Sequence, residues 1–227
     1  MPRTVDPAAY TVKREAFVDA AMGLMQAKGY EQMSIQDVLD AAGASRGAFY
    51  HYFDSKQALL EAIVDRIADQ ALAGLSPVVG DATLPAIPKL QRFFGGIAQY
   101  KTERKALMLE FIKVWKSDDM AVVRDSLRNT MIKKVAPILA RIISQGVAEE
   151  VFSVDSAADT ASILMALLLG FQDGATDLFL ARQAGTISYE AAVGRLVAFQ
   201  AAFERILGAR AGSIQIVDQR TLDEWFG

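Results

Sequence analysis

MSIQDVLDAAGASRGAFYHYFDSK, residues 33–56, decides the fold. Ser34 is a good helix N-cap, and Asp37 three residues on gives a capping-box-like start. Ile35, Val38, Leu39 and Ala42 fall at i, i+3, i+4 and i+7, so one stripe of that helix is apolar. Gly43 suits the left-handed position that stops a helix and turns the chain. Ser45 caps the next helix. Ala48, Phe49 and Phe53 point inward there, which leaves Arg46, Gly47, Tyr50 and His51 outward. Asp54 and Ser55 supply another stop and another cap, and Lys56 opens a long helix. The middle helix is only about two turns long. So short a helix has little stability of its own and depends on its neighbours. A helix-turn-helix uses such a second helix to enter the DNA major groove, its N-terminal residues near the bases.

Residues 12–28 complete a three-helix unit. Phe17, Ala20, Ala21, Leu24 and Met25 share one face, and Gly29 ends the segment. Caps and small residues alone also fit an ordinary helical hairpin. The particular residues decide between the two. Arg14, Phe17, Ala20, Ala21, Met25, Gly29 and Tyr30 are followed by Ser34, Ile35, Val38, Ala42 and Gly43. Then come Ser45, Arg46, Gly47, Phe49, Tyr50, Tyr52, Phe53, Ser55, Lys56 and Leu59. On these residues, segment 11–71 resembles the DNA-binding domain of the tetracycline-repressor (TetR) family of bacterial transcription regulators. The helix-turn-helix motif falls at 34–53. The resemblance implies an all-α fold, with this N-terminal domain followed by a helical ligand-binding and dimerisation domain at 76–207. It places Arg46 and Tyr50 nearest the bases or their backbone. Ser34, Ser45, Gly47, His51 and Lys56 then position the duplex through phosphates.

Composition bounds the alternatives. The 227 residues suffice for one large domain or two smaller ones, and 52% are hydrophobic. There is no cysteine, hence no disulfide, thiolate zinc site or cysteine nucleophile. The first ten residues show no signal-peptide h-region. The longest strongly apolar, uncharged stretch, residues 160–172, is 13 residues long. That suits a buried helix better than a bilayer span, so a cytoplasmic protein with no membrane partner is expected. Net charge is −3, and residues 1–56 hold six basic against seven acidic side chains. A DNA-binding head usually advertises a basic patch. Low non-specific affinity and a modest salt slope follow.

The remainder reads as helices at 56–75, 89–100, 103–116, 120–149, 155–184 and 188–207, with no period-two alternation and so no sheet. Residues 76–88, with three prolines and Gly80, read as the joint between domains. Pro137 is expected to kink its helix or remove a hydrogen bond there. The tail, 208–227, carries Ile214, Ile216, Trp225 and Phe226, too apolar for a free tail.

Two groups of residues in the second domain matter. Leu164, Leu168 and Gly170, with Leu196, Phe199 and Phe203, lie on the last two long helices. By resemblance these helices build a homodimer, although the same stripes also suit a monomer core. Phe94, Met108, Phe111, Trp115, Met131, Met165 and Phe171 form an apolar pool. Pockets in helical bundles are apolar with few polar groups, and Met adapts to varied shapes. Core packing explains any one of them; together, with the resemblance, they point to a small hydrophobic effector.

An enzyme is not expected. His51, the only histidine, stands in the reading helix. Neither thiol catalysis nor a histidine-rich metal site is available, and no cofactor or metal is expected. The carboxylate pairs 118–119 and 149–150 fall at helix ends. The reading is a ligand-responsive repressor of a palindromic operator in double-stranded DNA. The competing reading is a dimeric DNA-binding or architectural protein without an effector.

Overall fold

Apolar residues at helical spacing build ten helices in the computed structural model, which describes residues 7–115 and 121–227. They are α1 (Pro7–Lys28), α2 (Ile35–Ala42), α3 (Arg46–Tyr52), α4 (Lys56–Gly80) and α5 (Ala86–Glu103). The rest are α6 (Lys105–Trp115), α7 (Ala121–Ala148), α8 (Ala157–Gln183), α9 (Tyr189–Leu207) and α10 (Gln219–Phe226). No strand forms among the described residues, so the fold is all-α.

Packing divides the chain into two compact units. One combines Met1–Asp69 with Arg104–Leu127; the other combines Gln70–Glu103 with Arg128–Gly227. This division differs from an expected joint at 76–88, because α6 packs on α1 and inserts the buried Leu107 into the first core. The first core is built on Phe17, Val18, Met25, Val38, Leu39, Phe49, Leu59 and Ile63. Arg66 of α4 bridges Asp19 at 2.7 Å and Glu15 at 3.3 Å on α1.

In the second unit Phe93, Leu139, Ile142, Leu164, Phe203 and Leu207 are buried together. Lys89 is buried too, and its ammonium donates to Gln145 Oε1 at 2.6 Å. Gln145 Nε2 donates to the Leu84 carbonyl, and Glu149 Oε2 accepts the Ala86 N–H at 2.8 Å. Gln145 of α7 and Glu149 just past its end satisfy backbone groups at the start of α5, including an N–H a helix end leaves orphaned.

Pro137 lies inside its helix, α7, as expected, and Pro77, expected in the joint at 76–88, is helical too, in α4. Each removes one backbone donor, but each faces solvent, as does the residue four positions before it. Water can therefore satisfy the freed carbonyl. Neighbouring buried residues, Leu75 for one and Val135 and Leu139 for the other, keep the helices in place.

The tail is not free. Gly208 ends α9 in the left-handed conformation, at φ 60°. Ile214 and Ile216 are buried, and the buried Glu204 carboxylate accepts the Gly212 and Ile214 N–H groups, both at 2.9 Å. The tail then forms α10, capped by Asp218, which packs on α5, α8 and α9. Arg182 Nε donates to the Phe226 carbonyl and Trp225 Nε1 to Thr102 Oγ1, each at 2.9 Å.

Candidate nucleic-acid interface

The reading head begins at Ser34. Its Oγ accepts the Asp37 N–H at 3.1 Å, while Asp37 Oδ2 accepts the Ser34 N–H at 2.7 Å. This reciprocal capping box fixes where α2 starts. Gly43, at φ 60°, sends its N–H back to the Asp40 and Leu39 carbonyls and turns the chain. Ser45 then caps α3 by accepting the Ala48 N–H at 3.2 Å.

Seven residues cannot hold a helix alone, so aromatic packing holds α3. Phe49 is fully buried, with its ring centroid 5.6 Å from Phe17 and 5.7 Å from Phe53. Tyr10 adds a brace from α1, 4.7 Å from Tyr52 and 5.7 Å from His51 between ring centroids. The other side of α3 is open. Ser45, Arg46, Gly47, Tyr50 and His51 are all exposed. Arg46 and Tyr50 are one turn apart, and the guanidinium lies 6.0 Å from the Tyr50 ring centroid. Together they present a cation, a hydroxyl and a flat ring on one surface, groups that suit a base edge and the phosphates beside it.

Ser34 and Lys56 are engaged within the protein. Ser34 donates its hydroxyl to Asp37 Oδ2 at 2.7 Å. Lys56 is half-buried, its ammonium 4.2 Å from the Tyr30 ring centroid and 3.4 Å from the Glu31 carbonyl oxygen. Burial pushes the Lys56 pKa down, opposed by the Glu31 and Asp37 charges. The hydrogen bond from Lys28, then those from Ser34, hold Asp37 well below the usual carboxylate range. Sequence spacing did not reveal the Lys28–Asp37 pair, at 2.6 Å. It forms across the turn between two helices, where no periodicity applies.

The expected effector pool is divided. Met108 and Phe111 pack against the first core. Phe94, Met131 and Met165 belong to the second, and Phe171 stacks on Phe199 at 3.8 Å. Trp115 closes α6, and its side chain lies outside the described residues. Two clefts border the tail. The larger, about 250 Å³, runs between Arg92, Gly95 and Ala98 of α5 and Gln215, Asp218 and Thr221; the smaller lies among Leu196, Phe199, Ile216 and Leu222. Neither is lined by Phe94, Met131, Met165 or Phe171.

The expected dimer stripe needs correction. Leu164 and Phe203 are buried inside this chain's own second core, Leu196 is buried beside the tail, and Leu168 and Phe199 are half-buried. The most exposed large apolar residues on α8 and α9 are Ile163, at 56%, and Val197, at 57%, with Leu180 at 38%; the backbone is also open at Gly170, Gly174 and Gly194. Helical phase explains the difference: α8 has two apolar faces, and the buried one is a single residue out of step with the exposed one.

Residues 17–63 match the family described as "Bacterial regulatory proteins, tetR family". Residues 107–193 match "Tetracyclin repressor-like, C-terminal domain". The chain belongs to the TetR family. Among curated relatives, it is 24% identical over 125 residues to the HTH-type transcriptional repressor DhaR of Mycobacterium sp. (strain GP1). That match covers 55% of this chain and 61% of DhaR. It is 28% identical over 100 residues to the HTH-type transcriptional regulator EthR of Mycolicibacterium smegmatis, covering 41% of this chain and 45% of EthR. The chain thus spans under two thirds of the length of these relatives. RolR in complex with the ligand resorcinol shares the TetR fold at 16% identity and a TM-score of 0.60, over 96% of this chain and 95% of RolR. GusR of Salmonella enterica follows at 18% identity and a TM-score of 0.56, over 91% and 99%.

Proposed function

We propose that this TetR-family chain is a cytoplasmic transcriptional repressor. It binds a palindromic operator in double-stranded DNA as a homodimer and lets go when a small, mainly hydrophobic molecule binds. The observation that carries this reading is the short α3, clamped on one side by Phe49 and offering Arg46 and Tyr50 on the other. Arg46 and Tyr50 read the site. Ser45, Gly47 and His51 position the duplex through phosphates, joined by Ser34 and Lys56 where the duplex displaces their internal partners.

Assembly rests on α8. Among the described residues it is the one helix long and apolar enough to cross a membrane by composition, yet only 22% of its apolar window is buried in the chain. A second copy is the natural cover for such a face. Leu168, Gly170 and Phe199 then border the seam, with Ile163 and Val197 at its centre.

The effector site belongs among Phe94, Met131 and Met165 of the second unit, with Phe171 at its margin. Small phenols are the first compounds to test, since RolR takes resorcinol on the same fold. An effector releases DNA only by binding the DNA-incompetent state more tightly. Helix α4 is the physical route: it opens at the reading head with Lys56 and ends in the second unit at Gly80.

The experiment is a thermal-shift screen of the purified protein, repeated with the bound duplex present. A compound that binds the folded state raises its apparent stability. Operator DNA must weaken a true inducer by the factor with which the inducer weakens DNA. A compound that stabilises the protein yet leaves DNA affinity untouched argues for the effector-free architectural reading.

A further inference from the structure

Two lysines flank the turn between α1 and α2, and both are held by the protein. Lys56 faces Tyr30 and the Glu31 carbonyl. Lys28 lies 2.6 Å from Asp37 Oδ2, the same oxygen that accepts the Ser34 N–H and hydroxyl, each at 2.7 Å. Capping explains only part of this. An amide oxygen accepts hydrogen bonds from Ser34 as a carboxylate oxygen does, so the start of α2 does not require a charge at position 37. What the charge adds is a hold on Lys28, beside Ser34 at the edge of the reading head.

We infer that Asp37 sets the DNA affinity of this head by keeping Lys28 off the phosphate backbone. The inference rests on the DNA-binding reading above and names a residue that tunes it. Residues 1–56 hold only six basic side chains, so withholding one removes a sizeable share of the positive charge. Phosphate contacts grip every sequence alike, and each adds about 0.9 to the salt slope. A regulator searching for one operator competes with a vast excess of arbitrary sites. Holding Lys28 in reserve lowers the grip on those sites and leaves Arg46 and Tyr50 untouched. The modest salt slope expected from an acidic chain acquires a named cause.

The test is a salt titration of full-length protein on a mixed-sequence duplex lacking any inverted repeat. Asp37→Asn keeps an acceptor for Ser34 and frees Lys28. Its log–log salt slope steepens by about one, and its affinity at about 50 mM salt rises about tenfold. Lys28→Gln leaves the slope unchanged in the parent protein and abolishes the gain in the Asp37→Asn background. An unchanged slope in folded Asp37→Asn, with the parent binding normally, overturns the inference and leaves the DNA-binding reading standing. A parent protein that binds no duplex at low salt overturns both. Should Asp37→Asn fail to fold, Lys28→Gln alone decides. A slope shallower by about one would place Lys28 on a phosphate already and overturn the inference; an unchanged slope supports it.

Discussion

Phe49 has no exposed surface, while Tyr50, the next residue, is 45% exposed; that one step along α3 separates scaffold from the proposed reading surface. Phe49→Ala should cost about 3–5 kcal/mol, read as a lower denaturant midpoint, and DNA binding should go with it. Arg46→Ala removes an exposed side chain, so stability should stay within about 0.5 kcal/mol. Its loss should appear as weakened sequence preference, about 1–3 kcal/mol if the guanidinium grips a guanine in two places. Asp37 gives a pH prediction. Its pKa is depressed in the fold, so its contribution is complete above the unfolded value, about 3.9. That contribution is lost as pH falls through the folded value. Carboxyl carbon shifts should show Asp37 still ionised at roughly pH 3, where free aspartates are mostly protonated; titration at the ordinary value would contradict the Lys28–Ser34 hold. Ser45 and Gly43 were legible in the sequence because each acts through neighbours within four residues, and Phe49 because helical phase turns it away from the polar side of α3. Lys28 and Lys56 were not, since their partners lie across turns.

At the scale of elements, caps were readable and the end of α4 beyond Pro77 was not. Ser34, Gly43 and Ser45 cap where the sequence places them. Pro77 looked like an interruption, but local preference yielded to a buried neighbour and a solvent-facing carbonyl. The glycines separate the two kinds of constraint. Gly43→Ala meets no atom within 4 Å, yet its left-handed backbone should cost about 1–2 kcal/mol. Gly146→Ala drives a methyl into the Phe152 ring, and overpacking of this kind costs about 1–3 kcal/mol. Gly95, inside α5 with nothing nearby, should gain about 0.5–1 kcal/mol as alanine. Thermal melts of the three variants check the order; a stabilised Gly146→Ala would contradict the packing of α7 on the segment after it.

For the whole molecule, the all-α class and the N-terminal helix-turn-helix domain were legible, and the partition of apolar faces was not. Helical spacing marked α8 and α9 as apolar but could not tell a face that meets the chain's own interior, where Leu164, Leu196 and Phe203 are buried, from one left exposed. Ile163→Glu with Val197→Glu should leave the monomer fold intact, because both side chains are exposed. The pair should convert the dimer to monomer in sedimentation and abolish tight DNA binding; a doubly substituted protein that stays dimeric would move the interface elsewhere. A two-fold dimer carries two α3 helices to successive major-groove faces, so the half-sites should lie about one helical turn apart or a small multiple of it. Selection of bound duplexes from a randomised pool, run in parallel with the parent protein and Arg46→Ala, tests this most directly. The account predicts that the parent enriches an inverted repeat with that spacing and that Arg46→Ala loses preference at defined positions within each half-site. A folded, dimeric parent that enriches no sequence, or an Arg46→Ala variant that enriches the same repeat equally well, would contradict it.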